Sequence, residues 1–153
     1  MTRSDIIKKI FSLLIITLLT FTIIGCTNKI PIKPEYEVNE QAIADEIELL
    51  LNEVVYNETQ QTLRIKIKMT NKRDNTVTIK SDEMFKLYDI NKVQIPNNYT
   101  NSTNIIKKDE TITYILEYNV AKKEIYELYF YSGIVENNIR FNITSKDIIY
   151  SIE

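Results

Sequence analysis

Residues 62–69 read Thr62-Leu63-Arg64-Ile65-Lys66-Ile67-Lys68-Met69. Leu63, Ile65, Ile67 and Met69 are apolar, and Thr62, Arg64, Lys66 and Lys68 between them are polar. A helix turning 100° per residue would scatter the four apolar groups around its circumference. A pleated strand puts all four on one face and the cations on the other. The same period runs onward from this stretch. Asn71-Lys72-Arg73-Asp74-Asn75 has turn chemistry, because Asn and Asp side chains hydrogen-bond their own backbone. Val77 and Ile79 predict a short returning strand, and Met84–Tyr88 another, closed by Asp89-Ile90-Asn91-Lys92. Val93 and Ile95 resume the pattern before Pro96, and residues 97–104 form a polar loop. After Ile105-Ile106 and the turn Lys107–Glu110, the residues Ile112, Tyr114, Leu116, Tyr118 and Val120 mark the longest alternation. Tyr126, Leu128 and Phe130 alternate with Glu127 and Tyr129; Gly133 falls in a turn, and Ile139, Phe141 and Ile143 complete the series. The tail, Asp147–Glu153, reads as an edge strand or a docked segment. This predicts an all-β fold, an antiparallel β-sandwich of about seven to nine strands with one face of each in the core.

Upstream of the deciding stretch the signal is double. In residues 42–57, Ile43, Ile47, Leu50, Leu51 and Val54 have helical spacing, while Ile47, Leu49 and Leu51 alternate with Glu46 and Glu48. Periodicity leaves helix and strand open here; the strands that follow favour a strand. Residues 26–41 contain Pro31, Pro34 and scattered charge, and are expected to be a tether. The domain is then expected over 42–153.

The N-terminus reads as a signal helix. Residues 1–9 carry Arg3, Lys8 and Lys9, and residues 10–24 carry no charge. Those 15 residues span about 22 Å as a helix, short of a hydrocarbon core of about 30 Å. They suit a cleaved leader, residues 1–25, better than a membrane span. Ile23-Ile24-Gly25-Cys26 resembles the lipobox of bacterial lipoproteins. In that motif the small residue gives the signal peptidase access to the bond before the cysteine, whose thiol carries a diacylglyceryl group. The resemblance implies cleavage between Gly25 and Cys26, attachment to membrane lipid through Cys26, and residence on the extracytoplasmic face of the cell membrane. Each buried methylene contributes about 0.8 kcal/mol, so two or more acyl chains make a stable anchor.

Phe85-Lys86-Leu87-Tyr88-Asp89 resembles the Phe-x-Leu-Tyr-Asp signature of the FxLYD-domain family. These are small immunoglobulin-like sandwiches of Gram-positive secreted proteins and lipoproteins. The context is similar over about residues 45–143: a strand ending in Thr70-Asn71-Lys72, a short strand, the signature, then a polar turn. Lys107-Lys108-Asp109-Glu110 departs from the family's glycine-containing turn. The resemblance implies an immunoglobulin-like fold, with Phe85, Leu87, Tyr88 and Asp89 as structural residues. It implies no catalytic residue.

Composition sets further bounds. The chain of 153 residues has no histidine and one cysteine, so imidazole chemistry and intramolecular disulfides are absent. Without the leader, 16 basic and 20 acidic residues remain, a net charge of −4. No basic block offers a nucleic-acid surface. Asp89 and Asn91, with Asp82 and Glu83 nearby, lack the spacing of a calcium loop and read as a hydrophilic turn. No metal, cofactor or enzymatic activity is expected. The ten tyrosines are the unusual feature. For Tyr126, Tyr129 and Tyr131, which share one strand, core or cross-strand packing is the better reading and a binding surface is the alternative. Tyr129 and Tyr131 share the face opposite Leu128 and Phe130, which makes them the candidate contact patch. The expectation is a surface binding module for an extracellular protein or a cell-wall partner. The alternative is an accessory or inhibitor domain acting on a secreted enzyme, which rests on fold analogy alone.

Overall fold

The computed structural model describes residues 35–98, 102–121, 125–132 and 138–152. The expected signal helix, the Gly25-Cys26 cleavage site and the first part of the expected tether lie outside these residues. In chain order the elements are β1 (Glu35–Glu37), β2 (Gln41–Ala44), β3 (Ile47–Asn57), β4 (Thr62–Asn71), β5 (Val77–Lys80) and α1 (Ser81–Met84), a single helical turn. Then come β6 (Phe85–Asp89), β7 (Gln94–Ile95), β8 (Thr103–Ile106), β9 (Thr111–Asn119), β10 (Tyr126–Phe130) and β11 (Ile139–Ile143). A 3₁₀ turn (Ser145–Asp147) leads into β12 (Ile148–Ser151). One sheet has the order β1-β11-β10-β6-β7; the other has the order β12-β3-β4-β9, with β2 also on β3. The small pair β5-β8 stands apart from both. The fold is the expected all-β sandwich.

The alternation read from residues 62–69 is the burial pattern of β4, where Leu63, Ile65, Ile67 and Met69 are fully enclosed. Its neighbours supply matching inward groups, Leu49, Leu51, Val54 and Tyr56 from β3 and Tyr114, Leu116 and Tyr118 from β9. The opposite sheet contributes Phe85, Leu87, Leu128, Phe130, Ile139, Phe141 and Ile143 to the same core. Phe85 joins the layers: its ring lies 5.2 Å from Phe130 within its own sheet and 5.5 Å from Tyr114 of β9.

Three features differ from expectation. First, the sheet begins inside the expected tether: β1 pairs in parallel with β11, and Tyr36 packs its ring 5.9 Å from Phe141. Only one apolar residue in Glu35-Tyr36-Glu37 faces the core, which is too short a pattern to show period two. Second, twelve strands occur among the described residues rather than seven to nine. The additions include the three- and four-residue edge strands β1 and β12, whose partners are remote in sequence. Third, two pairings are parallel, β1 with β11 and β12 with β3. Both use edge segments that return from far along the chain, so no hairpin constrains their direction.

Residues 42–57 are extended, β2 and β3. Asp45 and Glu46, at φ 50° and 58°, form the two-residue loop between them. Such loops require positive φ at both positions, usually supplied by Asn-Gly. Here Arg73 secures the non-glycine turn. Its Nε donates to the Asp45 carbonyl at 2.7 Å, and its guanidinium pairs with the Asp45 carboxylate. Asn71, 1% exposed, closes the next turn: Nδ2 donates to the carbonyls of Asn75 (2.8 Å) and Ile106 (3.0 Å), and Oδ1 accepts from the Arg73 amide at 2.9 Å.

Candidate functional site

The outer face of the β1-β11-β10-β6-β7 sheet is built by the side chains that alternate away from the core. Register aligns Glu35, Arg140, Tyr129 and Lys86 in one row across four strands. The next row holds Glu37, Asn142, Glu127, Tyr88 and Gln94. Tyr88 and Tyr129 are diagonal neighbours and meet edge to face, centroids 5.2 Å apart at 78°. Tyr129 and Tyr131 follow each other on one face of the strand, with rings nearly parallel (16°) and centroids 6.0 Å apart. The hydroxyls of Tyr88 and Tyr131 are 3.5 Å apart. Three half-buried rings thus form one cluster from two strands.

Charged groups frame it. Arg140 pairs with Glu35, lies 3.6 Å from Glu127 and donates to the Tyr129 hydroxyl at 3.4 Å. Tyr129 donates to Glu127 Oε2 at 3.3 Å, and Lys92 Nζ reaches the same oxygen at 2.5 Å. Burial raises the Tyr129 phenol pKa, and the Glu127 charge adds to the shift. Burial also raises Tyr131 well above its ordinary value, followed by its hydrogen bond to Tyr88. Both phenols therefore stay protonated at neutral pH and present hydroxyls, not phenolates.

The signature residues divide by the same alternation. Phe85 and Leu87 are core. Tyr88 points outward into the aromatic cluster. Asp89 holds the turn to β7, its Oδ1 accepting from the amides of Asn91 and Val93, both at 2.9 Å. That turn places Lys92 at φ 64°. Tyr126 is buried, whereas Tyr129 and Tyr131 are half-buried on the outer face, each against another tyrosine. Sequence reasoning missed Tyr88 as their companion, and missed Arg140, Glu127 and Lys92. Alternation did put Glu127 and Arg140 on outward faces; it carried no sign that these faces belong to adjacent strands, or that Tyr88 stands beside them. Among the described residues, no group of three or more cysteine or carboxylate side chains converges as a metal site.

Beyond β10, the Tyr131 amide donates to the Met84 carbonyl at 2.8 Å, extending the sheet by one residue. A cleft of about 420 Å³ opens there, lined by Thr78, Lys80, Glu83, Met84, Tyr131 and Ser132. Two further clefts of about 360 Å³ each share Gln94, Ile95 and Pro96 in their walls.

No family model matches the sequence, and no curated protein matches it. The fold is similar to that of solved structures. One is the ycdA protein of Bacillus subtilis, described as a lipoprotein, with 19% identity and a TM-score of 0.58 over 70% of this chain. The match spans only 39% of that longer protein. A Staphylococcus aureus protein, also described as a lipoprotein, is 12% identical with a TM-score of 0.55, covering 77% of this chain and 97% of that one. An uncharacterised β-sandwich protein of Clostridium difficile 630 is 12% identical with a TM-score of 0.50, covering 72% and 93%. At these identities the likeness concerns the fold alone, a β-sandwich.

Proposed function

We propose that this chain is an extracytoplasmic lipoprotein, anchored in the cell membrane through lipid on Cys26, and that its sandwich is a binding module of the FxLYD type. The observation that carries the reading is Ile23-Ile24-Gly25-Cys26, which ends a short uncharged run behind a basic start and holds the chain's sole cysteine. Two solved structures of similar fold belong to proteins described as lipoproteins, which supports the same address. Phe85, Leu87, Tyr88 and Asp89 support the family reading, each with a distinct structural task. The Tyr88–Tyr129–Tyr131 cluster is the surface proposed for contact with an extracellular protein or a cell-wall partner. Aromatic groups with an apolar body and a polar tip suit such contacts. No catalytic role is assigned: the chain has no histidine, and the lipobox claims its only thiol.

Mass spectrometry of the protein extracted from native membranes tests the address. The expected N-terminal residue is Cys26 bearing a diacylglyceryl group. Cys26→Ala is expected to leave the leader uncleaved. An intact Met1 on the wild-type protein, or cleavage at another bond, overturns the reading.

A further inference from the structure

We infer that the cleft beside Tyr131 is a subsite for one sugar ring of a neutral glycan. This deepens the binding-module reading by naming a ligand class, and rests on it only for the source of the glycan. The parallel stacking of Tyr129 and Tyr131 covers one face of the Tyr131 ring. The cleft lies against the same residue, with Met84 also in its wall. Its volume of about 420 Å³ is within the range of about 300–1,000 Å³ usual for small-molecule sites. The electron-rich face of an aromatic ring attracts weakly positive C–H edges. A pyranose ring presents such C–H bonds on its flat side and hydroxyls around its rim.

The cleft rim matches that pattern. Lys80 offers donors, Glu83 acceptors, and Thr78 a hydroxyl that does both. Lys80 and Glu83 are paired at 2.9 Å, so the rim carries opposite charges in balance. A balanced rim gives a polyanion such as a polyol-phosphate polymer no net attraction, whereas hydroxyl groups use both partners of the pair. Tyr131 also joins the cleft to the Tyr88–Tyr129 cluster, so a chain of sugars has further aromatic surface along the sheet face.

The test is calorimetric titration of the full chain in detergent with chitotetraose and with cellotetraose. Saturable binding of at least one is expected, with a dissociation constant of about 1 mM or tighter. Tyr131→Ala is expected to weaken it by about tenfold or more, and Tyr131→Phe, which keeps the ring face, by about threefold or less. Should Tyr131→Ala not fold by circular dichroism, the exposed double change Lys80→Ala/Glu83→Ala takes its place, with an expected loss of about fivefold. Failure of both oligosaccharides to saturate at about 10 mM overturns the inference. So does unchanged affinity in the variants, or salt-sensitive binding of polyglycerol phosphate alone. Each of these results leaves the lipid anchor untouched, since mass spectrometry reads that separately.

Discussion

The outer faces of the two sheets are built by the same alternation and have opposite characters. On the β12-β3-β4-β9 sheet, Arg64 faces Glu117 at 3.4 Å and Lys66 faces Glu53 at 3.8 Å, while Thr70 and Thr111 share a hydrogen bond of 2.7 Å. The four charged side chains are 29–56% exposed. On the other sheet two charges are drawn in: Arg140 is 22% and Glu127 15% exposed, beside the three tyrosines. Large rings shield neighbouring charges, so each charge there requires partners, and Arg140 contacts Glu35, Glu127 and Tyr129. One face is a solvated ladder; the other is an ordered polar-aromatic cluster of the sort that can specify a ligand.

Substitutions graded by urea unfolding can break or sharpen this contrast. The largest effect is expected from the core both faces share. Phe85→Ala removes the ring that bridges the sheets and should cost about 3–5 kcal/mol. Arg140→Ala should follow at about 1–3 kcal/mol, because Glu127 and the Tyr129 hydroxyl each lose a partner while shielded from water. A loss below about 0.5 kcal/mol would make the two outer faces equivalent. Tyr129→Phe, which deletes only a hydroxyl between Arg140 and Glu127, should cost about 0.5–1.5 kcal/mol. Arg64→Ala on the opposite sheet should register the least, about 0–0.5 kcal/mol, since exposed ion pairs are screened.

Alkaline pH probes the same contrast without mutation. Tyr129 and Tyr131 have folded pKa values raised above the ordinary phenol, by burial first. The unfolded chain therefore ionises these phenols at a lower pH than the folded one does. Their contribution is complete below about pH 10 and is lost as pH rises above the unfolded value. Ultraviolet titration of tyrosinate should show these groups, with Tyr114, ionising after the ordinary tyrosines. A single transition near pH 10 for all ten tyrosines would remove the distinction.

Legibility followed sequence range. β4 and β9 could be read residue by residue, since each long strand carries its own period. The ambiguity of 42–57 has a local physical origin. A register shift between Leu51 and Glu53 leaves Asn52 as a bulge in β3. The buried residues are therefore Ile47, Leu49, Leu51, Val54 and Tyr56, and the step from Leu51 to Val54 is three rather than two. With Ile47 and Leu51 four apart, that step imitates helical spacing. The edge strands β1, β7 and β12 were less legible because two to four residues cannot display a period.

Alternation along the chain determined by itself that this is a β-sandwich, and that Tyr129 and Tyr131 share the face opposite Tyr126, Leu128 and Phe130. Strand direction and face are local properties of the pleat. Tertiary structure alone decided that β6 lies beside β10, and with it that Tyr88 joins Tyr129 and Tyr131 and that Arg140 and Lys92 meet Glu127. The order of strands depends on which apolar faces pack best together, a choice made across the whole core. The aromatic cluster and the cleft beside it are products of that choice.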